Sequence, residues 1–305
     1  MTKIVSLWEF SGSSARFGIS EVLRISPRFY WYIRTCSIIT KIKCHFFLIL
    51  GGGLFIMNLE NLRHEKEKTY FTFCAIISVI AWLIILIGTM GLALIWIVIL
   101  AIPLWISQQI FKVNVFGNSI KVNENQYPDL YKIFKEKAAE LQLQELPDIF
   151  LINSNGAMNA IAVKFISSKY VILYSSLVDL MLKRNEIEEL TMIISHELAH
   201  HAAGHISLGK NLLIYPSKII PFLGAAYGRA CEFTADKIGA HLTKNKDAAK
   251  RALVSLSGGS EALSSNVNIE EFKKQEYSVP GFFGFLVEIF SSHPRMTKRI
   301  IEIDK

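Results

Sequence analysis

An uncharged apolar run from Phe73 to Trp105 limits the folds open to this chain more than any other feature. One transmembrane helix needs roughly 20 residues and two need about 40, so the 33 residues of this run fall between the two cases. Gly88 to Gly91 could form a turn between two short helices, whereas Pro103 could instead kink one long tilted helix. The run therefore predicts a membrane hairpin or a long transmembrane helix, and the central glycines favour the hairpin.

The composition agrees with a chain that is partly embedded in a lipid bilayer. Hydrophobic residues make up 51% of the sequence, charged residues make up 19%, and the mean hydropathy of +0.33 is too high for an ordinary soluble protein. The net charge of +7 includes no run of basic residues interleaved with aromatics, so nucleic acid is not an expected partner. The basic residues on both flanks of the apolar run predict that a hairpin would have its two ends on the cytoplasmic side. These residues are Arg63, Lys66, Lys68, Lys112 and Lys121.

Changes in composition divide the chain into three expected parts. These are a basic N-terminal region (1–70), the transmembrane segment or segments (71–108) and a globular domain (109–305). Because Met57 and the polar residues after it resemble an ordinary N-terminus, we hypothesise that the native protein begins at Met57 and that residues 1–56 are a start-site extension. Detection of peptides from residues 1–56 in the natively expressed protein would reject this hypothesis.

The globular part contains the sequence His196-Glu197-Leu198-Ala199-His200, which has the form His-Glu-x-x-His. A helix is predicted here because apolar residues recur at helical spacing, with a capping box of Asn185 and Glu188 before them and Gly204 suited to the C-terminal end. The apolar residues are Ile187, Leu190, Ile194 and Leu198.

On such a helix His196 and His200 project from the same side one turn apart, so both imidazoles can bind one metal ion. Glu197 lies beside them, placed to take a proton from a water at the metal. The pattern can also occur by chance on an exposed helix. Here the preceding residues are apolar, and two histidines and a glutamate on a buried helix are costly unless they are paired or coordinated. The burial therefore favours a metal site.

The rest of the globular part predicts a mainly helical α+β domain. A helix begins at Pro128, and strands at Ile149 to Ile152, Ala160 to Ile166 and Tyr170 to Tyr174 form a small, mostly antiparallel sheet. A further helix from about Gly224 to Leu242 carries Glu232 and Asp236. Leu208 to Tyr227 is interrupted by charges and prolines, so we expect it to touch the bilayer or to cover the site, and residues 257–280 are expected to be a mobile connection.

Four motifs in order resemble the HtpX family of membrane zinc metalloproteases, gluzincins that also include the CAAX prenyl endopeptidases. They are Asn159-Ala160-Ile161-Ala162, the His196 to His200 motif, Glu232-Phe233-Thr234-Ala235-Asp236, and Ser292-His293-Pro294 followed by Arg299-Ile300. The resemblance covers most of the chain from Phe73 to Ile300 and implies a zincin-like metalloprotease domain.

The resemblance also implies a role for each matching residue. His196, His200 and Glu232 would bind one zinc ion per chain, leaving the fourth position open as catalytic zinc requires. Asp236 would orient a ligand histidine. Glu197 would act as general base, and His293 would lie near the developing oxyanion. Residues Asn159, Ala160, Ile161 and Ala162 would bind the substrate as an added β-strand.

Several alternatives remain at the level of sequence. Glu232 could be a surface carboxylate, and Ser292-His293-Pro294 could merely end a helix. His201 and His205 are not included among the metal ligands. The metzincin pattern is excluded because Ala203 and Ile206 stand where that family has glycine and histidine.

The expected function is a membrane-anchored zinc endopeptidase that acts on misfolded or membrane proteins in quality control. It would lie in a bacterial inner membrane, with the catalytic domain facing the cytoplasm. The alternative is a non-proteolytic membrane adaptor that retains the fold. Intact Glu197 argues against an adaptor, because an adaptor needs no general base beside the ligands.

Overall fold

The computed structural model describes residues 58–153, 156, 159–164, 168–183, 185–258, 263 and 266–305. The N-terminal half contains α1 (Leu59–Leu62), α2 (Glu65–Gly88), α3 (Leu92–Asn118), β1 (Ser119–Val122), α4 (Pro128–Glu140) and β2 (Asp148–Ile152). Next come β3 (Ala160–Lys164), β4 (Lys169–Tyr174), α5 (Ser175–Lys183), α6 (Ile187–Ala202), α7 (Leu208–Leu213) and α8 (Tyr215–Lys218). The chain continues with α9 (Pro221–Thr243), α10 (Lys246–Gly258), α11 (Ile269–Lys274), a 3₁₀ turn (Gln275–Ser278), α12 (Gly281–Phe290) and α13 (Met296–Asp304). The hypothesis about residues 1–56 lies outside the described residues.

The apolar run forms two helices rather than one long helix. Helices α2 and α3 contain 24 and 27 residues, and at 1.5 Å per residue each exceeds the roughly 30 Å of a bilayer core. Met90 (φ 51°) and Gly91 (φ 84°) turn the chain between them where the glycines predicted a turn. Pro103 lies inside α3 and does not end it. By length and composition, both helices are candidate membrane spans.

The first apolar helix also packs against the globular part. Ser78 is fully buried, and its Oγ accepts a hydrogen bond of 3.0 Å from the backbone N–H of Ser217. Trp82 Nε1 donates to the carbonyl oxygen of Leu213 at 3.3 Å. The segment from Leu208 to Tyr227, which was expected to touch the bilayer or cover the site, therefore packs against α2 through α7, α8 and the start of α9.

The sheet is mixed rather than mostly antiparallel. Its strand order is β1-β2-β4-β3: β1 is antiparallel to β2, β2 is parallel to β4, and β4 is antiparallel to β3. The prediction was wrong about the centre of the sheet because β4 inserts between β2 and β3. Strand β3 consequently lies at the edge of the sheet, where its outer backbone groups do not pair with another strand of the described sheet.

Helix α6 lies in the core, in contact with the sheet and with α9. Leu190, Ile194 and Leu198 of the predicted apolar face are at most 1% exposed, whereas Ile187 is 40% exposed. The predicted capping box is wrong: Asn185 adopts a left-handed conformation (φ 55°), and the cap position belongs to Glu186, whose side chain makes no capping hydrogen bond. The predicted end at Gly204 is confirmed, since this residue follows the cap at φ 75°.

Candidate metal centre

His196 and His200 lie one turn apart on α6, and Glu232 reaches them from α9. The Nε2 atoms of the two histidines are 3.2 Å apart. Glu232 Oε2 lies 3.6 Å from His196 Nε2, and its Oε1 lies 3.5 Å from His200 Nε2. The structure therefore brings together the three residues that the sequence motifs predicted as ligands.

This donor set fits a tetrahedral metal ion. Zinc bound at 2.0–2.1 Å separates neighbouring ligand atoms in a tetrahedron by about 3.3 Å. The two Nε2 atoms are 3.2 Å apart, and they lie 3.5 and 3.6 Å from the two different oxygens of Glu232. Two imidazole nitrogens and one carboxylate oxygen suit zinc chemically. The same residues line a cavity of about 550 Å³, from which a fourth ligand could approach.

Asp236 contacts His196, and Arg299 in turn contacts Asp236. Asp236 Oδ1 lies 2.9 Å from His196 Nδ1, and the Arg299 guanidinium donates two hydrogen bonds of 2.7 Å to the two oxygens of Asp236. Burial raises the pKa of Asp236, but Arg299 and His196 outweigh it, so the carboxyl group has a pKa below its usual value. An ionised Asp236 at this distance favours the proton on His196 Nδ1, which leaves Nε2 free to face Glu232 and His200.

Glu197 is buried beside the ligands without being one of the three clustered donors. Burial is the largest cause that raises the pKa of Glu197, to about 7. The backbone N–H of Ala162 faces this carboxylate and lowers its pKa, which links the general-base candidate to the edge strand β3. A carboxyl group with a pKa near neutrality can both take and return a proton at physiological pH.

The remaining predicted site residues line the same cavity. Asn159, Ala160, Ile161 and Ala162 form one wall, and Ile161 on β3 is 37% exposed. His293 lies in a turn after α12, its Nδ1 3.3 Å from Glu232 Oε2. The hydrogen bond to Glu232 is the main cause that raises the pKa of His293. His293 therefore lies in the turn after α12 and also contacts Glu232, one of the predicted ligands.

Sequence reasoning missed three residues that contact the site. The Arg299 side chain was matched only as part of a motif, without a role. His205, which was left out of the ligand set, has its Nδ1 2.9 Å from His200 Nδ1, and its Nε2 lies 3.4 Å from Glu67 Oε1. The position of His205 five residues after His200 was a signal for proximity, but nothing in the polar stretch around Glu67 marked it. His201 faces elsewhere, since its Nε2 lies 3.1 Å from the Tyr170 carbonyl oxygen.

Two sequence comparisons relate this chain to known proteins. The plastoglobule-localized metallopeptidase 48, chloroplastic, of Arabidopsis thaliana is 24% identical over 187 residues, which cover 56% of this chain and 52% of that protein. The chain thus spans about half the length of this relative. A sequence model of peptidase family M48 matches residues 124–215 and 207–305, more than half of the chain. The chain therefore belongs to peptidase family M48, the metallopeptidase family of HtpX and the CAAX prenyl endopeptidases.

Proposed function

We propose that this protein is a membrane-anchored zinc endopeptidase that hydrolyses peptide bonds. The observation that carries the proposal is the cluster of His196, His200 and Glu232, whose donor atoms lie within 4.8 Å of one another, with buried Glu197 beside it. Membership of a metallopeptidase family supports the same chemistry.

His196, His200 and Glu232 would hold one zinc ion per chain, as the donor types and separations favour. When bound, zinc lowers the pKa of a coordinated water to about 7 and polarises the carbonyl of the scissile bond. The ionic Asp236–Arg299 pair keeps the Nδ1 proton on His196, so that its Nε2 lone pair stays available. These residues orient the site.

Glu197 would take a proton from the attacking water and pass it to the leaving amine. Its burial supports this role because a desolvated carboxylate is a stronger base than an exposed one. His293, on the exposed rim of the cavity, would donate to the developing oxyanion. The contact with Glu232 raises the pKa of His293 above its usual value, which favours the protonated ring that this role needs.

The edge strand β3 would bind the substrate as an added β-strand. Residues Ala160 to Ala162 line the cavity, and the outer edge of β3 has no partner strand within the described sheet. The position of Ala162 beside Glu197 in the same cavity supports this placement, because a peptide on this edge would lie next to the general base.

Helices α2 and α3 would anchor the domain in a bilayer. Basic residues on both flanks of the apolar run favour a cytoplasmic catalytic domain, in a bacterial inner membrane. Misfolded and membrane proteins are the proposed substrates, with quality control as the proposed role. The support for these last points is the apolar anchor and the resemblance to HtpX-type proteases.

The decisive experiment compares detergent-purified wild-type protein with Glu197→Gln. We expect one zinc ion per chain in both, and casein cleavage by the wild type that a chelator abolishes. The variant should cleave at least about 10²-fold more slowly, since general acid–base catalysis contributes roughly 10²–10⁴-fold. Equal zinc without cleavage by either protein would favour the adaptor instead, and no zinc in either would refute the assignment of the ligands.

A further inference from the structure

The apolar helix α2 reaches the metal centre through its first turn. Glu67 on this helix is 4% exposed, and His205, just beyond α6, is 8% exposed. Glu67 Oε1 lies 3.4 Å from His205 Nε2, and His205 Nδ1 lies 2.9 Å from His200 Nδ1. Glu67 lies well before residues 124–305, the part of the chain that matches the family.

The positions of the protons along the contacts from His200 through His205 to Glu67 follow from simple hydrogen-bond rules. If His200 binds a metal through Nε2, its single ring proton must be on Nδ1, which then donates to His205 Nδ1. His205 must accept at Nδ1, so its own proton is on Nε2 and faces the Glu67 carboxylate. An ionised carboxylate is the acceptor that this tautomer requires.

Glu67 is itself held in a fixed position. Arg63 pairs with Glu67 Oε1, and the hydroxyl of Thr234 on α9 donates to Oε2. Arg63 Nη2 also donates to the Ala203 carbonyl oxygen at the end of α6, at 3.0 Å. The backbone N–H of His64 donates to Thr234 Oγ1 at 2.9 Å. The start of α2 is thereby tied to both ligand-bearing helices.

We propose that Glu67 and His205 are positioning residues for the metal ligand His200, so that helix α2 sets the metal affinity of the catalytic domain. This inference rests on the proposed metal site. It goes beyond the proposed function because it assigns the N-terminal helix a part in assembling the centre, in addition to anchoring it.

Glu67 and His205 could instead form a second metal site together with Cys231, since the three residues bring one donor atom each within 4.8 Å of one another. One contact opposes that interpretation. Arg63 already occupies Glu67 Oε1, and its guanidinium would repel a cation bound there. The positioning role of Glu67 and His205 is therefore favoured.

The test measures zinc affinity of the detergent-solubilised full chain by competition with a chromophoric chelator. Glu67→Gln and His205→Leu should each raise the zinc Kd by about 10- to 100-fold, the usual effect of removing a partner that orients a metal ligand. Because Glu67 acts through His205, the double variant should be no weaker than His205→Leu alone. The visible spectrum of the cobalt-substituted protein should change in both single variants, reporting altered geometry at the metal.

Matched controls separate positioning from general destabilisation. Glu65→Gln, exposed on the same turn, and His201→Leu, with its ring facing Tyr170, should leave the zinc Kd within about threefold. Should Glu67→Gln not fold, Thr234→Val removes the hydroxyl that donates to Glu67 and accepts from the His64 backbone N–H, and it should weaken zinc binding in the same direction. An unchanged Kd in Glu67→Gln or His205→Leu, or effects that multiply in the double variant, would overturn the proposal.

The number of zinc ions bound per chain provides a second test of the proposal. One zinc per chain is expected, whereas two ions per chain, one of them lost in Cys231→Ser, would mean that His205 Nε2 is a ligand rather than a donor and would also overturn the proposal. Wild-type protein that binds zinc but cleaves no peptide would refute the proposed endopeptidase alone. Unaltered zinc affinity in the Glu67 variant would refute the positioning role alone.

Discussion

Arg299 and Asp236 form a buried, two-pronged ion pair, with both N···O distances at 2.7 Å. The two residues are 6% and 0% exposed, and Asp236 in turn contacts His196 Nδ1. Arg299 Nη1 also lies 3.6 Å from Glu232 Oε2. One guanidinium on the last helix thus contacts two acidic groups of the candidate metal centre and fixes their positions relative to each other.

Replacement of Arg299 by lysine should weaken metal binding although it conserves charge. Lysine cannot reproduce the planar, two-pronged contact, so Asp236 would hold His196 less rigidly. We expect the zinc Kd to rise by about 10- to 100-fold. The measurement is chelator competition, with Arg251→Lys as the control because Arg251 is bonded to Glu189 away from the centre. An Arg299→Lys protein with wild-type zinc affinity would contradict this role.

Removal of the metal should lower the thermal stability of the protein, and Glu232 should be required for the effect. A ligand at 1,000 times its Kd stabilises the folded state by about 4 kcal/mol. Wild-type protein stripped by a chelator should therefore melt at a lower temperature and recover when zinc is added. Glu232→Gln should show little zinc-dependent shift, because a neutral amide replaces the carboxylate ligand. A full shift in this variant would show that Glu232 is not a ligand.

Gly239→Ala should destabilise the contact between the two ligand-bearing helices. A Cβ atom at this position of α9 would lie 2.8 Å from Met192 Sδ and 3.2 Å from the Met192 carbonyl oxygen on α6. Forcing an extra methyl group into such a contact costs about 1–3 kcal/mol, as denaturant unfolding would measure. Gly209→Ala, which meets no atom within 4 Å, is the matched control and should be neutral or stabilising. Equal effects of both substitutions would contradict the close contact.

His293→Ala should impair catalysis more than metal binding. If the ring donates to the oxyanion, its loss should reduce kcat by about 10²- to 10³-fold while the zinc content stays near one per chain. Because His293 Nδ1 also lies 3.3 Å from Glu232 Oε2, the competing outcome is that the variant loses zinc in proportion to its loss of activity. Parallel zinc and kinetic titrations distinguish the two, and proportional loss would refute the oxyanion role.

Glu276 should stabilise the fold in a pH-dependent way. The Arg295 guanidinium hydrogen bond is the main cause that lowers the pKa of Glu276 below its usual value of 4.5. A group with a depressed folded-state pKa adds stability above its unfolded pKa and loses it as pH falls through the folded value. Glu276→Gln should therefore cost about 1–3 kcal/mol at pH 7, and the difference should shrink progressively below pH 4.5. A difference that does not change with pH would contradict the ion pair.

The sequence by itself determined the features that depend only on residues close to one another in the chain. His196 and His200 share one side of α6 because a spacing of four residues is one helical turn. The apolar run favoured a hairpin of two short helices over one long helix, and the structure has two longer helices with the turn at its glycines. Glu232, Asp236, His293 and the edge strand could be named only through the family resemblance. The structure places Glu232, His293 and the edge strand around one cavity, and it places Asp236 in contact with His196.

Only the tertiary structure decided the contacts between distant parts of the chain. Periodicity shows which face of a strand is buried but not which strand is its neighbour, so the parallel β2–β4 pair could not be foreseen. The same holds for Arg299 with Asp236, and for Glu67 with His205 beside His200. Long-range packing brings these charged groups together, and they are stable in the interior because each buried charge there meets its partner.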